Sequence, residues 1–184
     1  MKKLIAIIII IAICISLANF YNLKERIYKI IYPTDYSEYV EKYAKENNVD
    51  ELLIYSIIKA ESNFNADAKS QSDAIGLMQI METTAVETAK ELGYNYISEE
   101  NLYEPELNIQ IGVKYFTKLL KIYDDNINLA IIAYNAGIGN VDKWIENGTI
   151  KKDCSDLENI PYTETRNYVR KILRDYGIYK ELYR

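Results

Sequence analysis

From Asp50 to Ser62 the chain repeats apolar residues at three- and four-residue spacing, Leu53, Ile54, Ile57 and Ile58, and the stripe ends on a carboxylate, Glu61. That spacing dictates an amphipathic helix with one face in a core, and Asp50 is suited to cap its start. Asn63 and Asn65 follow at once, so the helix is expected to stop near Ser62, leaving Glu61 in the last turn beside the negative end of the helix dipole. Desolvation and the dipole both favour the protonated carboxyl. A carboxylic acid that stays neutral near pH 7 is what proton donation to a leaving group requires. A structural reading stands beside this one: Glu61 paired with Lys59 or Lys69 at a helix end, since perturbed carboxylates also occur in ion-pair networks.

The rest of the chain reads as mainly helical. Asp35 is a cap for a helix through Ala44, and further helices are expected over Thr83 to Leu92, Glu106 to Tyr123, Asn128 to Ala136, Val141 to Glu146 and Thr165 to Tyr176. Between Asn65 and Ile80 the helical period is lost, and Asp73 and Gly76 supply turn chemistry between short extended pieces, which predicts a small hairpin. Pattern alone gives a mostly α fold class.

At 184 residues, with three Pro, seven Gly and no repeat, the chain suits one domain with an appendage. It has no His, which removes His-dependent nucleophile systems and most zinc sites. Its two Cys, at positions 14 and 154, do not make a metal cluster. Neither a metal nor a cofactor is expected. Cys14 lies in an apolar run and Cys154 in a polar loop, so a disulfide between them is not expected either.

The N-terminus sets the compartment. Lys2 and Lys3 precede an apolar run from Leu4 to Phe20, broken only by Ser16 and Asn19, at the short end of what spans a bilayer. Residues 1–31 are therefore expected to be a signal anchor, a single membrane helix and its juxtamembrane stretch, with Lys2 and Lys3 inside and residues 32–184 on the extracytoplasmic side. The alternative is secretion after cleavage at Ser16-Leu17-Ala18. Residues 32–184 carry 17 basic and 26 acidic residues. Nucleic acid is excluded as a partner, because phosphate binding needs a basic footprint.

Glu61-Ser62-Asn63-Phe64-Asn65 leads to Ser70, to Ala74-Ile75-Gly76-Leu77-Met78-Gln79-Ile80-Met81, to Ala133-Tyr134-Asn135-Ala136-Gly137, and to Ile160-Pro161-Tyr162-Thr163-Glu164-Thr165-Arg166-Asn167-Tyr168-Val169. In that order and spacing these stretches resemble the catalytic domain of the soluble-lytic-transglycosylase (SLT) family, which cleaves the glycan strands of peptidoglycan. The resemblance covers roughly residues 36 to 176. It implies a lysozyme-like fold, with the small β-hairpin beside the helix that carries Glu61. It also implies a one-carboxylate mechanism. Glu61 protonates the glycosidic oxygen after N-acetylmuramic acid, then serves as base toward the carbon-6 hydroxyl of that sugar, leaving a 1,6-anhydro end without water.

By the same resemblance Ser70, Gln79, Met81, Tyr134, Asn135 and Glu164 line the glycan cleft. Each has a structural alternative: Gln79 satisfying backbone groups, Tyr134 packing in the core, Glu164 serving the N-terminus of the last helix. Asp67 and Asp73 are the nearest candidates for the second carboxylate of an ordinary glycosidase, and solvated turn residues are the alternative reading of both. The chain departs from the family where Ala66 and Glu82 replace common prolines, which touches loop stiffness and not the acid. Two other functions stay open: a hydrolytic muramidase of the same fold, and a membrane-anchored peptidoglycan-binding protein without catalysis.

Overall fold

The computed structural model describes residues 2–184; the side chains of residues 1–12 and of Cys14, Ala18 and Asn22 lie outside the described part. The described residues form α1 (Lys2–Ile31), α2 (Ser37–Glu46), α3 (Glu51–Glu61), α4 (Glu82–Glu91), α5 (Pro105–Ile122), α6 (Ile127–Ala136), α7 (Ile138–Glu146) and α8 (Thr163–Tyr183). Short 3-10 turns occupy Glu100–Tyr103 and Leu157–Asn159.

α3 is the axis of the fold. Every residue from Leu52 to Ile58 is buried, so α3 is covered on all sides and not along one stripe, as a helix surrounded by others must be. α8 lies along it in the most extensive helix contact; α2 flanks α3 and packs on α5, which continues to α6. Ser56 in that run is satisfied by donating to Leu53 O at 2.7 Å, while the buried Tyr55 hydroxyl has no hydrogen-bond partner among the described residues. Asp50 caps α3 as expected, its Oδ1 accepting from Leu52 N at 3.0 Å. Pro105 opens α5, where its missing N–H removes no helical bond.

Three expectations are corrected. α2 begins at Ser37 with Tyr36, in left-handed backbone, at its N-cap in place of Asp35. α8 runs past Tyr176 to Tyr183 because Tyr179 and Tyr183 anchor its end: their rings stack at 5.9 Å, and their hydroxyls donate to Pro33 O and Tyr32 O at 2.8 and 2.7 Å. Tertiary contact there outweighs Gly177, a poor helix former. Between Asn65 and Ile80 no strand forms among the described residues; two isolated antiparallel bridges, Lys69 with Ile75 and Ile75 with Ile80, stand where the hairpin was expected. Positive φ at Asp73, Gly76 and Gln79 turns the backbone too often for an extended run. Gly76 is required here twice over: its φ is +76°, and a Cβ would lie 2.2 Å from Asn108 Nδ2.

Most of the apolar run from Leu4 to Phe20 lies outside the described side chains. Among the described residues no helix is long and apolar enough to cross a membrane. The end of α1 docks on the domain through aromatic rings: Tyr28 stacks on Tyr32 at 6.1 Å, and Tyr32 meets Tyr179 edge-on at 5.5 Å. Lys59 Nζ donates to Ile31 O at 2.6 Å, satisfying a terminal carbonyl of α1 from a point two residues before Glu61.

Candidate active site

Glu61 is the last residue of α3, and Ser62 closes the helix by donating its N–H to Ile58 O. The buried run before it fixes the helix, so the carboxyl has little freedom of position. Tyr168, from α8, donates its hydroxyl to Glu61 Oε1 at 2.5 Å. Burial pushes the Glu61 carboxyl up to about 7, against the Tyr168 hydrogen bond and the nearby Lys171 charge, which both pull it down. Desolvation wins because one neutral donor and one exposed ammonium do not replace the water a carboxylate loses. Lys171 is spent partly elsewhere, donating to Ala60 O at 2.9 Å. The ion pair with Lys59 or Lys69 is not formed: Lys59 holds Ile31 O, and Lys69 binds Glu99 at 2.6 Å.

The turn-rich segment is tied to this point by two hydrogen bonds. Ser62 Oγ donates to Leu77 O at 2.8 Å, and Tyr134 Oη donates to Met78 O at 2.7 Å. Behind it the fully buried Asn108 accepts from Met78 N at 2.8 Å and donates to Ile75 O and Leu102 O. One side-chain amide thus satisfies three backbone groups of irregular chain, as buried polar groups demand.

Tyr134 lies near Glu61: burial, then the Glu61 charge, lifts its hydroxyl well above the ordinary tyrosine range. Its ring also packs on Tyr115 and Phe116 at 5.6 and 6.0 Å. Gln79 Nε2 donates to Gly76 O and Ala68 O at 2.9 and 3.2 Å, so its amide nitrogen holds the loop. Ser70 Oγ accepts from Ala74 N and Ser72 N at 3.0 and 3.2 Å and closes a turn. Met81 is 41% exposed at the start of α4. Asn135 Oδ1 accepts from Thr165 Oγ1 at 2.7 Å, and Glu164 is exposed in the first turn of α8. No hydrogen bond joins Ser70, Asn135 or Glu164 to Glu61 among the described residues.

Asp67 and Asp73 are exposed turn residues, the first donating its N–H to Asn65 Oδ1, the second paired with Lys69 at 3.3 Å. Neither supplies a second buried carboxyl at the site. Among the described residues no cluster of His, Cys, Asp or Glu could hold a metal ion.

The sequence reading assigned no role to Tyr168 or Asn108. Tyr168 stands in the last quoted stretch, and seven residues separate it from Asp175, two α-helical turns, so both face α3. Asn108 carried a weaker signal: it is one of two amides, with Gln110, interleaved with the apolar Leu107, Ile109 and Ile111.

A soluble lytic murein transglycosylase of Salmonella typhimurium is 35% identical over 144 residues, 77% of this chain and 22% of the relative. A membrane-bound lytic murein transglycosylase C of Shigella sonnei is 36% identical over 121 residues, 61% of this chain and 34% of the relative. The crystal structure of the 70 kDa soluble lytic transglycosylase of Escherichia coli superposes with a TM-score of 0.77 at 31% identity, over 84% of this chain and 25% of that one. The chain thus spans about a quarter of the length of these soluble relatives. The likeness gives residues beyond α1 the mostly helical, lysozyme-like fold of such neighbours. The Transglycosylase SLT domain model matches residues 38–156, a stretch that holds Glu61 and all but the last of the motifs, and the chain belongs to that family.

Proposed function

We propose that this chain is a peptidoglycan lytic transglycosylase that cleaves the bond between N-acetylmuramic acid and N-acetylglucosamine with Glu61 as its single general acid and base. The observation that carries this reading is one carboxyl, lifted to about 7 at the end of a buried helix, with a tyrosine hydroxyl on one oxygen. At neutral pH such a group is present in both forms, as a residue must be that first donates and then accepts a proton.

In the first step Glu61 gives its proton to the glycosidic oxygen as the bond to the anomeric carbon breaks. In the second it takes the proton of the carbon-6 hydroxyl as that oxygen closes on the anomeric carbon. The product is a 1,6-anhydro end, and Glu61 returns to its acid form. Tyr168 lowers the cost of the intermediate carboxylate by hydrogen bonding to it. By the family resemblance Ser70, Gln79, Met81, Tyr134, Asn135 and Glu164 line the glycan cleft, and the Glu61 charge reaching Tyr134 supports that reading for Tyr134. Gln79 holds the loop with its nitrogen and leaves its carbonyl oxygen for a sugar donor. The exposed Met81 offers an apolar surface to a sugar face.

The test is mass spectrometry of the sugars that the full chain, in detergent, releases from purified peptidoglycan, with Glu61→Gln in parallel. Ends lighter by one water and resistant to borohydride are expected from the wild type alone. Reducible ends would replace the proposal by a hydrolytic muramidase; bound but uncut polymer would leave only a binding protein.

Residues 1–31 serve as a single-pass signal anchor that holds residues 32–184 outside the cytoplasm. The long apolar run after Lys2 and Lys3 supports this, and one relative is membrane-bound by name. Intact mass of the native protein is expected to include residue 1; a chain starting at Asn19 would overturn the anchor in favour of secretion.

A further inference from the structure

The apolar character of α1 does not stop with the apolar run. Leu23, Ile27 and Ile30 lie beyond Phe20, among Lys24, Glu25, Arg26 and Lys29, and are 57%, 46% and 78% exposed. Neither the anchor nor the chemistry of Glu61 accounts for aliphatic side chains left bare on a charged stretch of helix.

Their spacing is regular. Phe20, Leu23, Ile27 and Ile30 follow at intervals of three, four and three, and the same rhythm reaches back to Ser16 and Ile13. That is a heptad register, with Ile13, Phe20 and Ile27 at a and Ser16, Leu23 and Ile30 at d. At about 100° per residue these positions share roughly a third of the helix circumference. Their slight drift from one heptad to the next is what a left-handed pair of helices takes up.

The catalytic domain lies on another side of α1. Tyr21, Glu25 and Tyr28 line a small cavity against Ile178 and Leu182 of α8, and Tyr28 stacks on Tyr32 at 6.1 Å. That side stands roughly 140° around the helix from the centre of the seam, so docking on α8 leaves the seam bare.

A second observation points to a helix, and not to lipid, as what covers it. The apolar run is interrupted twice, by Ser16 and Asn19. Ser16 sits at d, and Asn19, at g, borders the seam. Within a bilayer, hydroxyl and amide side chains turn towards a neighbouring helix, where they find hydrogen-bond partners, and a small residue lets the backbones approach. Both interruptions therefore fall on the side that Leu23, Ile27 and Ile30 mark beyond the membrane.

Charge and tethering say which helix. In a parallel pair a g residue faces the following e residue of the other strand, which sets Asn19 of one copy against Lys24 of the other and Arg26 against Ile31. No two cations are opposed. Glu25 is held within its own helix by Lys29 at 2.6 Å. Copies anchored in one orientation present the same heptads at the same depth, and confinement to one surface raises their effective concentration.

We propose that α1 pairs with α1 of a second copy, parallel and in register along Ile13, Ser16, Phe20, Leu23, Ile27 and Ile30, and so carries two catalytic domains on one stem. Each domain hangs on the side of α1 turned from the seam, which leaves room for the pair. The pairing rests on the signal-anchor reading of residues 1–31 and not on the role of Glu61.

The experiment uses the full chain with Cys14→Ser, because Cys14 lies in the paired helix, in phosphatidylcholine vesicles and in detergent. The remaining thiol, Cys154, is buried. Intact mass is measured first: loss of residue 1 would overturn the anchor and the pairing together. With residue 1 retained, Leu23→Cys and Ile30→Cys on the seam are compared with Tyr21→Cys and Glu25→Cys off it, each oxidised with copper phenanthroline in the vesicles. Disulfide-linked dimers are expected from the first two and not from the last two. Light scattering in detergent is expected to give a protein mass of twice 21.4 kDa, falling to 21.4 kDa when Ile27→Glu and Ile30→Glu are combined. Phe20→Ala with Leu23→Ala, which adds no charge, is the second variant if the acids impair insertion. Cleavage of peptidoglycan in detergent by either double variant as by the wild type would show that the domain is folded.

Equal cross-linking at all four sites, or a wild type that is monomeric in detergent and gives no dimer in vesicles, would overturn the pairing and leave the anchor standing. A monomer whose Leu23→Cys is shielded from a water-soluble maleimide in vesicles would assign the seam to lipid. A cross-link from Leu23→Cys in native membranes to a product other than the dimer would assign it to a different protein, and either result would overturn the inference. Failure of the wild type to cut peptidoglycan would remove the proposed function without touching the pairing.

Discussion

The two ends of α3 carry one carboxylate each, and their surroundings are opposite. Asp50, at the positive end of the dipole, accepts from Leu52 N at 3.0 Å, from Tyr176 Oη at 2.5 Å and from Arg184 Nη2 at 2.5 Å. Glu61, at the negative end, has one hydroxyl donor and a desolvating environment. The first carboxylate accepts from three donors and serves structure. The second is held where its charge is disfavoured, which makes its proton available for transfer. The residue type does not decide the role; the count of donors and the sense of the helix do.

The largest effect that tests this contrast is on activity. Glu61→Gln is expected to lower the release of anhydro ends by a factor of about 10³, the scale of positioned acid–base catalysis. Asp50→Asn, which keeps an N-cap oxygen, should change it little.

Stability should respond in the opposite sense. The Glu61 pKa lies near 7 in the fold against an ordinary 4.5, so between these values the folded state binds more protons and stability falls as pH rises. Glu61→Gln is therefore expected to raise thermal stability at pH 8 by about 3 kcal/mol. Calorimetry at pH 4, where both states are protonated, should show no such gain. A gain equal at both pH values would point to packing in place of charge. Asp50→Ala should instead lower stability by about 1 kcal/mol or more at neutral pH through the lost cap.

The smallest expected effect belongs to Tyr168. Its hydrogen bond lowers the Glu61 pKa, so Tyr168→Phe should move the alkaline limb of the pH–rate profile upward by about one unit or less. A limb that stays in place would mean that the hydroxyl positions the carboxyl without tuning it.

Much of the helical order was readable because it rests on local signals. Asp50 caps α3, Asn126 caps α6 with Oδ1 accepting from Asn128 N and Leu129 N, and Gly137 in left-handed backbone ends α6. Such signals lie within four residues of what they control. The expected hairpin is reduced to two isolated bridges because the turns around it depend on Asn108, some thirty residues away, and on Leu102 O crowding Gly76.

The amino-acid order by itself determined a mostly helical chain, an acid at the end of a buried helix and the set of motifs that places the chain in its family. Periodicity, caps and motif spacing are properties of near neighbours along the chain. Only the tertiary structure decided that α3 is covered on every side, that Tyr168 from α8 reaches Glu61 and that Gln79 spends its amide on the loop. Each joins segments far apart in sequence, or depends on how completely water is excluded. Desolvation, which lifts the Glu61 carboxyl to about 7, exists only once those segments have closed around it.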